Sequence, residues 1–310
     1  MTRIVFLDQN AWVSLARGAW DKIEFPREHV ALKKVIEQVK SEAIMVPLTF
    51  ANIYETTKIN DPVRRANMAR TQALISDGMV FRGRRRILGE TLADHIAGKL
   101  SIPRPAPEKN WFLSDLWFES AEDYSPEVFG IEIPQRVIDA IRRDPARALF
   151  DYLLFRDEHT RMEAVRRYSA GSAALIQRIE GRRAIVSGET LALRKRAYGA
   201  QLLLDELDFV LATGRTLGLN WSTVRDIGSP MARSIIAEVP ILNSERELVV
   251  RLEDQPRSIN ENDLRDMASF MTALPFADLM IAEKQFVNLA RQSRLGESFG
   301  TSLMTSIFDF

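Results

Sequence analysis

The chain of 310 residues contains no cysteine. Disulfide frameworks, thiolate zinc sites and cysteine nucleophiles are therefore excluded. Histidine is almost as scarce: His29, His95 and His159 lie far apart, which argues against a histidine-rich metal site. No uncharged apolar run approaches the roughly 18 residues that a membrane-spanning helix needs. The opening Met1–Asp8 lacks the apolar core of a secretory signal, so the expectation is a cytoplasmic protein without a membrane partner. Net charge is absent too. Forty-two basic residues cancel forty-two acidic ones, so no global field marks a nucleic-acid or membrane partner. What remains is 46% hydrophobic and 27% charged, the composition of a globular protein of one to three domains.

The charge is unevenly spread. Residues 1–135 carry 18 basic and 18 acidic side chains, residues 136–200 carry 14 and 8, and residues 201–310 carry 10 and 16. A basic middle thus precedes an acidic C-terminal third. Two readings stay open for the middle: arginines paired on helical surfaces, or a surface for a polyanion, which arginine's planar fork of donors suits.

Residues 3–7 (Arg-Ile-Val-Phe-Leu) are apolar and β-rich and end at Asp8, which predicts a buried parallel strand with an acid at its carboxyl end. Helical spacing follows over 11–20 and 29–42, a second short strand over 43–48, a helix capped by Thr49, and another over 62–76 closed by Asp77-Gly78. The first 80 residues therefore read as β-α-α-β-α-α. From about 87 to 255 the pattern is helical, with helices predicted near 136–151, 157–180, 188–214, 229–237 and 244–254. It is interrupted at 101–135 by prolines 103, 105, 107, 126 and 134 and by aromatic residues such as Trp111 and Trp117, expected to pin that stretch to a core. A helix over 261–274 capped by Asn260, a strand over 277–282 and a last strand near 303–305 restore the α/β pattern. The organisation predicted is one discontinuous α/β domain, 1–86 with 256–310, holding a helical insertion over 87–255.

Four acids fall where such a fold gathers its reactive groups. Asp8 and Glu283 each end a strand, Glu55 lies in the helix after the second strand, and Asp266 lies early in the helix before the Glu283 strand. Open α/β sheets place their sites beyond the carboxyl ends of the strands. Converging carboxylates repel one another unless a cation compensates them, so at least one should have a raised pKa in its absence. With no cysteine and little histidine, the cation indicated is Mg²⁺ or Mn²⁺. Such a cluster can activate water and support in-line displacement at phosphorus. Each acid also has a structural alternative: an Asx turn for Asp8 before Gln9-Asn10, a solvated helix position near Lys58 for Glu55, and a strand-end ion pair for Glu283. Asp263 and Asp278 are secondary metal-ligand candidates, Asp263 standing three residues after Asn260 at capping-box spacing.

Three segments resemble PIN-domain proteins. Phe6-Leu-Asp-Gln-Asn is similar to the opening of that family, Val46-Pro-Leu-Thr-Phe-Ala-Asn-Ile-Tyr-Glu to its second strand and acid-bearing helix, and Asp266 through Glu283 to its third segment. The resemblance covers roughly 3–80 and 260–305. It implies a three-layer α/β/α sandwich around a parallel sheet and a Mg²⁺- or Mn²⁺-dependent nuclease, mostly of RNA, with many bacterial members acting as toxins. It assigns Asp8, Glu55, Asp266 and Glu283 as the acids. The sequence departs from the pattern in having Glu at the fourth place and in the Asp266–Glu283 spacing; another register takes Asp278 as the third acid and Asp309 near the last. On this reading Asn10 orients Asp8 or the water, and Arg82, Arg84, Arg85 and Arg86 contact the nucleic-acid backbone, or else form a solvated turn. RNA, or DNA, is the substrate. An antitoxin or regulatory protein, or a second copy of the chain, is a candidate partner.

Two rival classes are kept. One is a catalytically degenerate PIN-like fold that binds protein or nucleic acid. The other is a different phosphotransferase or phosphatase. The lack of a Gly-x-x-x-x-Gly-Lys-Ser/Thr loop argues against a P-loop enzyme, and Asn10 two residues after Asp8 departs from the paired acids of haloacid-type phosphatases.

Overall fold

The structure, a computed structural model, describes residues 2–121, 133–155 and 157–310. Pro126 of the proline-rich stretch lies outside them. Four strands form one parallel sheet: β1 (Arg3–Leu7), β2 (Ile44–Met45), β5 (Leu279–Ile281) and β6 (Ser302–Met304), in the order β2-β1-β5-β6. The predicted neighbours over 3–8, 43–48 and 278–282 therefore do pair in parallel. β1 meets β5 in the register Val5–Leu279 through Leu7–Ile281 across more than 270 residues of chain. The chain is of α/β class.

The alternation of side chains in β1 and β5 explains why helices cover both faces. Ile4, Phe6 and Met280 enter one hydrophobic cluster, whereas Val5, Leu7, Leu279 and Ile281 enter the other. A strand with apolar residues at every position has two faces to bury. The second cluster is covered by α1 (Gln9–Trp20), α2 (Pro26–Lys40), α3 (Phe50–Lys58) and α4 (Pro62–Ser76). The first draws on α5 (Arg84–Leu100) and on helices late in the chain.

Between them the chain is mainly helical. α6 (Gln135–Arg143) and α7 (Pro145–Phe155) are separate because Pro145 lacks the N–H that a continuous helix would use, and Asp144 before it leaves the helical conformation (φ −153°, ψ 77°). α8 (Glu158–Val186) is one long helix. The single helix predicted over 188–214 divides at Glu206 (φ −101°, ψ 7°) into α9 (Leu191–Asp205) and α10 (Leu207–Thr216). Then come α11 (Val224–Ile227), α12 (Ser229–Glu238), α13 (Pro240–Leu252), α14 (Glu261–Ala273), α15 (Lys284–Gln292) and α16 (Leu295–Phe299). Two short strands escape the sequence pattern, β3 (Val80–Phe81) and β4 (Leu113–Ser114), which pair antiparallel. Two residues are too few for alternation to register. Leu48 bridges to Val80 in parallel, which attaches this pair beside β2.

The segment over 87–255 contributes to both hydrophobic clusters. Leu149 and Leu153 of α7 join the cluster that contains Val5 and Leu7, and Leu248, Val249 and Val250 of α13 join the one that contains Phe6. Its aromatic residues pin the proline-rich stretch as expected: Phe112 stacks on Phe276 at 4.5 Å between ring centres, and Trp117 on Tyr152 at 3.6 Å. Among the described residues no helix is long and apolar enough to cross a membrane.

Gly78, in the turn between α4 and β3, shows how tightly α7 is held. Its φ is +71°, and a Cβ there would overlap the backbone of Pro145. Gly78→Ala should therefore lower stability by about 2–4 kcal/mol, combining left-handed strain with overpacking. A chemical-denaturation midpoint close to that of the parent would contradict this account of the α4–α7 contact.

Candidate active site

Asp8 stands at the junction of sheet and helix. Its backbone N–H donates to Ile281 O at 2.9 Å, the last rung between β1 and β5, and its carbonyl accepts from Trp12 N at 3.1 Å, the first bond of α1. Its Oδ1 accepts from the Ala11 N–H at 2.8 Å, so Asp8 is the N-cap of α1. The turn-forming role is real, and it fixes the carboxylate at the carboxyl end of β1.

This end is where the topology reverses. From β1 the chain goes to β2 on one side, and after α14 it returns to β5 on the other. The crevice between such strands is the usual ligand position in open α/β sheets. Asp8, Glu55 and Asp266 line one small cavity there of about 10 Å³, room for a single water. Glu283 follows β5 as the N-cap of α15 and is exposed at the rim.

α3 is oriented onto this crevice by buried polar contacts. Asn52 accepts from Thr49 N at 3.0 Å and donates to Leu7 O at 3.3 Å, tying the start of α3 to the end of β1. Thr49 and Ser269 hydroxyls meet at 3.1 Å, tying α3 to α14. Behind them Gln9 Nε2 donates to Thr56 Oγ1 at 3.3 Å, Thr56 Oγ1 donates to Gln72 Oε1 at 2.8 Å, and Gln72 Nε2 returns to Gln9 Oε1 at 3.5 Å. This ring of hydrogen bonds locks α1, α3 and α4 together one residue from Asp8.

The acids share an electrostatic field. Burial pushes the Asp8 carboxyl up to about 6, reinforced by the charges of Glu283 and Glu55 and opposed by N–H donors of Ala11 and Glu283. Asp266 is pushed up to about 8, again first by burial, then by Glu283, Asp8 and Glu55, with Arg265 acting the other way. The direction is the one the sequence predicts, but desolvation leads and mutual repulsion follows. Coupling through space is not the same as shared coordination. Among the described residues no group of three or more acids or histidines is gathered closely enough to hold an ion as the side chains stand. A physical reason is visible at Glu55: its Oε1 accepts from Arg265 Nε at 2.6 Å, so it is already paired with a buried guanidinium.

Arg265 is the site residue that sequence reasoning missed. It also pairs with Glu261 one helical turn back and bonds Asn262. The available signals were its place beside Asp266 and the Glu261–Arg265 spacing, which favours an ion pair on a helix. Arg257 was missed as well; it feels the charge of Glu283 and pairs with Asp263.

The other sequence candidates are placed differently. Asp263 closes the capping box of α14, accepting from Asn260 N at 2.8 Å and binding Arg257, so its role is structural. Asp278 lies at the opposite end of β5, where its Oδ2 accepts from Ile4 N at 2.6 Å; the register that makes it the third acid is therefore not used. Asp309 sits in a final 3-10 turn and is not among the charges acting on Asp8 or Asp266. Asn10 is exposed on the first turn of α1, where its backbone carbonyl accepts from Ser14 Oγ at 3.0 Å. The arginine run is engaged in packing. Arg84 is held by Glu206 at 2.6 Å and Glu245 at 2.8 Å, and Arg85 lies 3.8 Å over the Phe209 ring. Arg82 reaches Glu119 at 3.2 Å, and Arg86 is more than half exposed beside Glu90 at 3.8 Å. Satisfied, part-buried guanidiniums do not offer themselves to a phosphate backbone, so Arg82, Arg84 and Arg85 serve the fold.

No protein-family model matches the chain, and no curated protein or solved structure matches it.

The raised carboxyls set a pH dependence of stability. A carboxyl with a higher pKa when folded than when unfolded binds protons more tightly in the folded state, so stability falls as pH rises between the two values. For Asp8 the window is from about 4 to about 6, and for Asp266 from about 4 to about 8. Asp266→Asn removes the larger cost while keeping the shape. It should raise the thermal midpoint near pH 8, by the equivalent of a few kcal/mol at about 1.4 kcal/mol per pKa unit, with the gain shrinking toward pH 4. An unchanged or lower midpoint at the alkaline end would show that Asp266 is not desolvated as described.

Proposed function

We propose that the chain is a PIN-like, divalent-cation-dependent phosphodiesterase of the cytoplasm, an endoribonuclease, with its centre at the crevice between β1 and β5. One observation carries this reading: Asp8, Glu55 and Asp266 converge on a single cavity at the topological switch point, with Glu283 acting on them from its rim. Helices on both faces of a parallel sheet agree with the three-layer arrangement that the PIN resemblance implies.

The donor set suits Mg²⁺ or Mn²⁺. Every candidate ligand is a carboxylate oxygen, and two of them are driven toward the neutral form by burial and by the neighbouring acids, which a bound cation would offset. Asp8, Asp266 and Glu283 would hold the cation, and Glu55 would join them on leaving Arg265. A bound cation would supply an activated water and charge neutralisation at the scissile phosphate. The chain's own groups do the rest. Asp8 is held rigid by its cap bond and by the ring of hydrogen bonds behind it. Arg265 positions Glu55 through their ion pair. Glu283 and Arg257 form the solvent-facing rim over which an RNA strand would pass.

The pairing of Glu55 with Arg265 also supports the second reading, a PIN-like fold that binds without cleaving, because one acid is then permanently spent on a structural ion pair.

Cleavage of mixed RNA with Mg²⁺ or Mn²⁺ separates the two. Asp8→Asn should abolish cleavage, by at least about 100-fold, while preserving the fold, since Asn keeps the carbonyl that caps α1. Cleavage that persists in both Asp8→Asn and EDTA would sink the cation-dependent mechanism. Absence of cleavage by the parent on any RNA or DNA would favour the binding module.

Affinity for Mn²⁺ carries its own signature. The ligands must be ionised to bind, so affinity should rise with pH as Asp8 and Asp266 lose their protons, through about 6 and about 8. Calorimetry at about pH 5 and about pH 8 should differ on the order of 100-fold or more; equal affinities would speak against a carboxylate site.

A further inference from the structure

A second concave site lies away from the acids. α9, α11, α12 and α13 enclose a groove of about 900 Å³. None of its lining residues belongs to the carboxylate cluster. Leu203, Ala232 and Ile236 give it an apolar floor. Gly199 completes that floor, where a Cβ would press to 3.0 Å on Ile236 Cγ2; the missing side chain lets α9 lie against α12.

The rim is strongly basic. Arg196, Arg225 and Arg233 come from three different helices and are all exposed. Their side chains carry no hydrogen bond or ion pair among the described residues. That sets them apart from Arg147, Arg161, Arg167, Arg182, Arg183 and Arg194, each of which is paired with an acid. The one lining acid cannot balance them. Glu247 is buried and already holds Lys195 at 2.7 Å, Arg246 at 3.0 Å and Arg251 at 2.5 Å. Arg246, itself part of the lining, has a buried Nε with no partner. Five cations thus surround the groove against one acid that is fully engaged.

We propose that this groove binds a small phosphate ester with a planar or apolar body, of the nucleoside monophosphate class. Guanidinium forks match phosphate oxygens in geometry and charge. The volume falls within the roughly 300–1,000 Å³ of small-molecule sites, where an apolar floor buries the body and a few polar groups orient it. Inorganic phosphate would leave the floor empty, and an uncharged apolar molecule would leave three arginines unanswered. Without a cation the carboxylate crevice cannot substitute, since its acids repel phosphate and its cavity admits only a water.

Calorimetry on the full chain, with AMP, adenosine and inorganic phosphate as separate probes, tests this. AMP should bind at one per chain and at least about 10-fold more tightly than either fragment. Two variants locate it: Ala232→Trp fills the floor, and Arg225→Glu with Arg233→Glu reverses the rim. Either one, folded by circular dichroism, should weaken AMP binding at least about 10-fold. Asp8→Asn should bind AMP as the parent does, so that failure here is distinguishable from failure of the carboxylate site. The proposal is overturned if AMP does not bind, if both folded variants bind it unchanged, or if Asp8→Asn alone removes binding.

Discussion

Arg265 is buried between two acids of different origin, Glu55 from α3 and Glu261 from its own helix, and beside the half-buried Asp266. Its charge is what allows α3 and α14 to bring carboxylates to the same crevice. Without it Glu55 would face Asp8, Asp266 and Glu283 uncompensated, and burial would add to the repulsion. The pairing has a cost in chemical terms, since an acid held by a guanidinium is not free to ligate. The geometry of the site is thus a compromise between holding the acids together and leaving them available.

The skeleton of this arrangement is written locally. Arg-Ile-Val-Phe-Leu-Asp can be read as a buried strand ending in an acid because each of its residues is committed by its neighbours in sequence. Thr49 and Asn260 announce helix starts for the same reason. Asp8 and Glu283 are legible because a strand end is a local feature and a parallel sheet aligns strand ends, and Glu55 and Asp266 because they stand on helices flanking those strands. Arg265 is not legible in this way. Its importance comes from Glu55, 210 positions away, and no periodicity encodes a pairing of that range. The arginine run at 82–86 misleads for the mirror-image reason: its partners Glu206 and Glu245 are remote, so a run satisfied by the fold looks like a free cationic surface. Asp278 misleads because a two-sided strand has an acid at each end, and only the direction of the chain tells which end carries the site.

The basic middle of the chain is in large part paired, as the first of its sequence readings has it. Much of it is spent on local ion pairs along α8, such as those of Arg161, Arg167 and Arg183. Arg196 instead stands unpaired at the groove beside α9 and α12, joined there by Arg225 and Arg233 from the acidic third, and the apolar floor distinguishes the place from a merely solvated face. Composition measured over a segment cannot separate the two, because separation depends on which helices come to lie side by side.

The central position of β1 has a temporal consequence. One of its edges is filled by β2, some forty residues later, but the other waits for β5, more than 270 residues later. Asp8 and Glu55 stand on elements close in sequence, whereas Asp266 and Glu283 are made more than 200 residues after Glu55. The crevice between β1 and β5 therefore has no far wall while the chain is growing. A nascent chain that has not yet reached α14 lacks two of the four acids and the strand that closes the crevice beside the other two.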